Sequence, residues 1–445
     1  MKPSIFDIKL AQALSWVVGG ILVLLPFHAL ATTWMASNVG HYDLIRAWKE
    51  VLLILALPAV LWLTWRSSKL RRYLFNSWTV RLLAIYIALH LVLGLYALQT
   101  GVVNIESLIY SYTVNLRFLG FFVMVLVSAS YSSILSRNWT KILLFPATIV
   151  VIFGIAQKFL LPYDFLRHFG YGLNTIPAYQ TVDSQFELRR VQSTLRGANP
   201  LGAYLLLVTS AYVVIVRKNR TKLLFGLAAL LTILFYSYSR SAWLGLVLSL
   251  SFFAGFSASR RFNLGRMVFV YIATALLVGV GLYALRYNNT VQDTVFHTSS
   301  ESTSEQSSNE VRAQALKQGA SDIVSEPLGR GPGTAGPASF RNDSLPRISE
   351  NYYFQIGQEL GVAGMLVFIA INLLVARQLW EKRSQQLAKI LLISLAGITV
   401  VNLVSHAWAD DTLSYIWWGL AGIALTPAIL TDRHKQNGKA NKSQT

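Results

Sequence analysis

Apolar stretches of roughly 17–25 residues, the length a helix needs to cross about 30 Å of hydrocarbon, recur along this whole chain. They lie near 10–32, 50–65, 79–98, 114–131, 141–160, 200–216, 222–237, 241–257, 266–285, 352–376, 388–406 and 414–430. In lipid a backbone has no water to satisfy it, so continuous apolar segments of this kind can only be helices. Hydrophobic residues make up 54% of the 445 and charged residues 13%, which leaves little polar surface for a soluble exterior. The fold class that follows is all-α: a polytopic membrane helix bundle of about 12 transmembrane helices. It forms one membrane-embedded domain over 1–445, with a large outer loop before helix 10.

The formal charge of +19 invites a nucleic-acid reading, and its distribution removes it. With the N-terminus inside, 23 of the 39 basic residues fall on the inner side, against three inner acids, Asp7, Glu381 and Asp432. That asymmetry is the positive-inside rule, so the charge reports orientation, with both termini cytoplasmic and no nucleic-acid partner. Cysteine is absent, which excludes disulfide, thiolate and thiolate-zinc chemistry. "HALATT" offers a small-x-small cleavage pattern at Ala29 and Ala31, yet a hydrophobic run this long is expected to stay as an anchor.

Most connections are short; two outer ones are not. The first spans 161–199, the second 286–351. The second opens on a Ser/Glu/Asn-rich stretch, "HTSSESTSEQSSNE", that reads as a mobile segment or polar lid. It turns helix-like through "VRAQALKQGASDIV" and then irregular in "PLGRGPGTAGP". Loops of this length are usually functional or disordered. No internal repeat argues for an inverted-repeat transporter.

Three arginines stand at the outer ends of membrane segments: Arg117 in "VNLRFLGFF", Arg196 in "STLRGANPLGAYLLL" and Arg240 in "YSYSRSAWLG". Guanidinium inside a membrane segment is costly and marks a functional site by default, although long side chains near helix ends also snorkel to headgroups. Three together on one face favour anion binding. The planar guanidinium fork bonds two oxygens of a phosphate or diphosphate at once. Arg196 and Arg240 also adjoin expected helix N-termini, whose free N–H groups favour negative charge.

The stretch "RISENYYFQIGQELGVAG" begins a membrane helix with Glu350, Asn351, Gln355, Gln358 and Glu359 in its first turns. At helical spacing Asn351, Gln355 and Gln358 share a face, with Glu359 adjoining it, and such a stripe must line a cavity or a packed interior. A partly desolvated Glu350 at the loop–helix junction suits a general base acting on a sugar hydroxyl. The alternative is an ordinary N-terminal cap, with Ser349 and acids in the first turn.

"GPGTAG" follows no strand and is not a nucleotide loop; no P-loop is present. His406 near Asp410 and Asp411 hints at a metal or sugar site. An interfacial aromatic belt with Trp408, Trp417 and Trp418 explains that segment better. No histidine spacing fits a metal, and no cofactor is expected.

"RGANPLGAYLLL", "SRSAWLG", a long loop containing "PLGRGPG", and "ENYYFQIGQELGVAG", in that order over roughly 115–425, resemble the O-antigen ligase and O-antigen polymerase family of bacterial membrane proteins. The resemblance implies a metal-independent glycosyltransferase of the cytoplasmic (inner) membrane. It would take an undecaprenyl-diphosphate-linked glycan donor and a glycan, lipid or protein hydroxyl acceptor, at the outer face. Arginines matching Arg196 and Arg240 hold the diphosphate in that family, and the position of Glu350, commonly histidine there, activates the acceptor. Glu350, Arg240 and Arg196 are thus the expected catalytic residues, with Arg117, Arg312, Asn351, Gln355 and Tyr238 as substrate-binding residues. The competing reading is a transporter or flippase of a lipid-linked or anionic solute. A transporter should concentrate its charges at the bilayer midplane, whereas here they cluster at one face. A catalytically silent membrane scaffold is a further alternative, because Glu350 departs from the family histidine.

Overall fold

The structure, a computed structural model, describes residues 3–182, 185–258, 264–284 and 308–427. Every expected apolar segment is helical where it is described. The helices are α1 (Ile5–Leu24), α2 (His28–Val39), α3 (Tyr42–Arg46), α4 (Trp48–Arg66), α5 (Ser68–Asn76), α6 (Trp78–Gln99), α7 (Ile105–Tyr131) and α8 (Ile134–Phe159). A hairpin of β1 (Gln180–Val182) and β2 (Gln185–Arg190) follows. Then come α9 (Ala198–Val216), α10 (Arg220–Tyr236), α11 (Arg240–Ala258), α12 (Leu264–Ala284), α13 (Ser308–Ser325), α14 (Tyr352–Glu381), α15 (Gln386–Leu403) and α16 (Asp411–Leu425). Among the described residues eight helical runs are long and apolar enough to cross a membrane, with α1 and α2 counted as one bent run. The expected count of about twelve therefore rests, on length and composition, on eight. The polar-lid stretch expected at 297–310 lies outside the described residues up to 307.

α16 runs through the centre of the bundle, with α7 packed along it. The expected aromatic belt rests on three tryptophans, and here the structure corrects the sequence. Trp408, Trp417 and Trp418 are completely buried, with ring centroids 5.3–5.9 Å apart. Large rings bury the most apolar area, and a central helix has neighbours on every side to receive them.

The polar opening of α14 is a packed interior. Asn351 caps the helix, accepting from the N–H groups of Tyr353 at 2.9 Å and Phe354 at 3.0 Å. Glu359, wholly buried, accepts from Gly333 N at 2.7 Å, Ser111 Oγ at 3.1 Å and Asn115 Nδ2 at 2.8 Å. Gln358 Nε2 donates to Asp322 Oδ2 at 2.7 Å, and Arg347 Nη2 lies 2.9 Å from the same oxygen. The "PLGRGPG" loop is thereby strapped to α14. Arg330 N donates to Gln358 O and Gly331 N to Glu359 O, each at 2.9 Å, and Val362 N reaches Pro327 O at 3.0 Å.

The strap needs a break in α14, which Gly361 supplies with φ +70°. A Cβ there would stand 2.3 Å from Pro327 O and 2.5 Å from the Leu328 carbonyl carbon, so only glycine fits. Gly361→Ala is expected to destabilise the protein by about 2–4 kcal/mol, read as a lowered melting temperature of the purified protein in detergent.

Asp322 makes a second test possible. Burial raises its pKa, but the bonds from Arg347, Gln318 and Gln358 outweigh this and hold it below the ordinary carboxylate value. A carboxyl depressed in the folded state contributes stability that is present above its unfolded pKa, about 4. That contribution is lost as pH falls through the folded value. The difference in protease sensitivity of the 326–350 loop between the wild type and Asp322→Asn should therefore stay constant from neutral pH to about 4 and shrink only below it.

Candidate functional site

At the end of the bundle where α4, α7, α9 and α16 begin, a cavity of 410 Å³ opens. α7 gives it Glu106, Ile109, Tyr110, Thr113 and Arg117, positions spaced for one helical face. The opposite face of α7 carries Ser107, Ser111 and Asn115, which meet the 333–338 loop and Glu359. α7 is thus a partition, with a charged cavity on one side and the strapped loop on the other.

The inner part of the cavity is a closed ion network. Lys49 Nζ lies 3.0 Å from Asp411 Oδ2 and 3.3 Å from Glu50 Oε2. Arg117 Nη1 lies 2.9 Å from Glu50 Oε1 and 4.0 Å from Asp411, and its Nη2 donates to Ala409 O at 3.0 Å. Trp48 Nε1 donates to His28 Nδ1 at 2.9 Å. An indole can only donate, so Nδ1 accepts, while His28 Nε2 lies 3.3 Å from Asp411 Oδ2 and 3.1 Å from Lys49 Nζ. Two cations face two carboxylates, so the network is balanced.

Nearer the mouth, Arg46 and Arg341 share Asp43 and both lie over the Tyr110 ring, at 5.2 and 4.5 Å from its centroid. Arg341 also pairs with Glu106. Arg196 differs. It lines the cavity, is accessible within it, and has no hydrogen bond or ion pair among the described residues. Enclosure works against its charge, but Tyr110 and the carboxylates of Asp411 and Asp410 more than offset this, so its pKa is raised.

The turn behind Arg196 is built to aim it. Gln192, Ser193, Thr194 and Leu195 are all buried. Gln157 Oε1 accepts from Ser193 N at 2.7 Å, Ser193 Oγ donates to Val150 O at 2.7 Å, and Thr194 Oγ1 donates to Pro26 O at 2.8 Å. Ser193 adopts φ +53°, a left-handed conformation uncommon outside glycine.

Of the residues expected from sequence, Arg117 and Arg196 come together in this cavity. Arg240, Arg312, Glu350, Asn351, Gln355 and Tyr238 are not among its lining residues. Arg240 opens α11 immediately after Ser239, which packs so closely on α9 that a Cβ on Gly202 would stand 2.6 Å away. Arg196 and Arg240 thus flank the first turns of the same helix. Tyr238, in that turn, has φ +49°, and Arg190 donates to the carbonyl of Ser237 at 2.9 Å to brace it. Glu350 has φ +52° and faces Arg312, with a 4.0 Å separation. The next turn touches α7 from the side away from the cavity, through Tyr352 OH and Asn115 Oδ1 at 3.3 Å. Asn351 serves the cap, and Gln355, whose Oε1 has no hydrogen-bond partner, packs against Gly336 of the loop. Among the described residues no group of three or more His, Asp or Glu is arranged to hold a metal ion.

His28, Lys49, Glu50, Tyr42, Tyr110 and Arg341 were not singled out from sequence. The readable signals were Lys49 and Glu50 together at a membrane helix start, and Tyr110 about two turns before Arg117.

Removing one member of the network is expected to leave its partners uncompensated. Arg117→Ala should cost about 3–5 kcal/mol, while the double change Arg117→Met with Glu50→Gln should cost clearly less. Melting temperatures of the two variants in detergent decide this.

Residues 223–369 match the family model described as O-antigen ligase. Comparison with curated proteins returned no match.

Proposed function

We propose that this chain, a member of the O-antigen ligase family through residues 223–369, moves a glycan from a lipid-linked diphosphate donor to an acceptor hydroxyl. The family match supports glycan transfer within O-antigen and lipopolysaccharide biosynthesis, and the apolar helices support a bacterial inner-membrane location. The donor proposed is an undecaprenyl-diphosphate-linked oligosaccharide, used at the outer face with both termini cytoplasmic and without a metal.

The observation that carries the reading is Arg196. In a cavity where Lys49 and Arg117 are already balanced by Glu50 and Asp411, its guanidinium is left for an anion from outside. A diphosphate bound there, with Arg240 on the other flank of the α9 N-terminus, has its charge lowered in place. The acceptor oxygen attacks the anomeric carbon and forms the new glycosidic bond. The bond from that carbon to the diphosphate oxygen breaks, the leaving group departs with its electron pair on the lipid, and inversion results. Preorganised cations at the developing charge supply the larger share of the rate.

Glu350 is assigned the proton of the acceptor hydroxyl, with Arg312, Asn351, Gln355 and Tyr238 as the proposed surroundings of the glycan. In this reading donor and acceptor come from opposite sides of α7 and meet over its N-terminal turn.

Arg196→Ala is expected to lower transfer at least about 100-fold while the protein remains folded, and Arg196→Lys to restore only part, because an ammonium lacks the planar fork. Arg240→Ala should harm transfer more than Glu350→Gln. The measurement is release of free lipid diphosphate in vesicles containing correctly inserted protein. Near-normal release by both arginine variants would refute the reading.

A further inference from the structure

Outside the membrane helices, α13 and the 344–348 segment enclose a second cleft, of 1020 Å³. No aromatic side chain lines it among the described residues; amides, hydroxyls and cations do, together with Val311, Ala315, Leu345, Pro346 and Ile348. On its floor Asp322 is already matched by Arg347 at 2.9 Å and by bonds from Gln318 and Gln358, each within 2.8 Å. Gln358 is buried, and its Oε1 has no hydrogen-bond partner. Lys317 and Arg330, on the walls, are exposed and make no ion pair among the described residues. The backbone of Arg330 is fixed by its bond to Gln358 O, so this cation sits on the strapped part of the loop.

The cleft thus combines surplus positive charge with neutral groups that exchange hydrogen bonds with hydroxyls. Its wall also reaches the proposed acceptor side of the site. Gly319 stands against Ser349, next to Glu350, with room for no side chain of its own. We propose that this cleft binds an acidic saccharide, a sugar unit of the substrate glycan that carries a carboxylate. Lys317 and Arg330 take the carboxylate and the amides take ring hydroxyls. The inference rests on the glycan-transfer reading above and names the class of glycan.

The test uses the full chain in lipid nanodiscs, with a galacturonic acid trisaccharide and neutral maltotriose as probes of equal length. The uronate is expected to bind, more weakly as salt rises, and about tenfold more weakly to Lys317→Ala or Arg330→Ala. Maltotriose should show no binding at the same concentrations. Equal binding of both sugars, or uronate binding indifferent to both substitutions, overturns the assignment. In transfer assays Lys317→Gln should raise KM and leave kcat unchanged. The substrate whose KM moves, donor or acceptor, is the one that carries the acidic unit. Arg196→Ala should lose transfer yet keep uronate binding. Loss of uronate binding in protein that still transfers glycan removes this inference alone; binding retained by wild-type protein that transfers nothing supports it and removes the transfer reading instead.

Discussion

A charge carried into a membrane helix has to be compensated on the spot, and in this protein α7 is where that requirement is met. Arg117 lies about 18 Å along the helix from its first residue and packs against α4 and the start of α16. Glu50 and Asp411 answer it, and Lys49 completes the set. The same helix satisfies a buried carboxylate on its other side, where Ser111 and Asn115 donate to Glu359. Both polar systems are anchored to one rod, so the cavity and the outer loop are held in fixed relation.

That balance also decides which cation is chemically available. A count of cations alone would spread anion binding over five side chains in the cavity, four arginines and Lys49. Ion pairing narrows it, since Arg46 and Arg341 share Asp43, and Lys49 and Arg117 share two acids. Arg196 alone of the cavity cations has no such partner among the described residues. The buried turn behind it, tied to Val150 and Pro26, costs a left-handed serine and gives in return a guanidinium with little freedom to turn away. The same backbone region recurs at Tyr238 and Glu350, so three of the four non-glycine residues with positive φ among the described residues belong to segments singled out for function.

Sequence alone made the helices legible because hydrocarbon imposes one length and one composition on anything that crosses it. The arginines were legible for the same reason, as exceptions. What could not be read was pairing across distant segments. Glu50 and Asp411, more than 350 positions apart, look like unrelated outer-face acids until α4 and α16 bring them to Arg117. The stripe through Gln355, Gln358 and Glu359 was recognised as interior, but spacing could not say whether it faced substrate or protein. Gly333, Asp322 and the break at Gly361 show that it faces the loop. The three tryptophans misled because interfacial belts and buried cores draw on the same residues, and only the number of neighbouring helices distinguishes them.

The strapping of the "PLGRGPG" loop across the break in α14 has a thermodynamic consequence for recognition. A loop bonded through Gly331, Gly333 and Val362 to a spanning helix is ordered by folding itself, not by arrival of a ligand. Whatever docks against it meets a finished surface and forfeits little conformational entropy on binding. Weak individual contacts to a flexible, strongly hydrated chain can then suffice for selection, and the wall can release its cargo as readily as it accepts it.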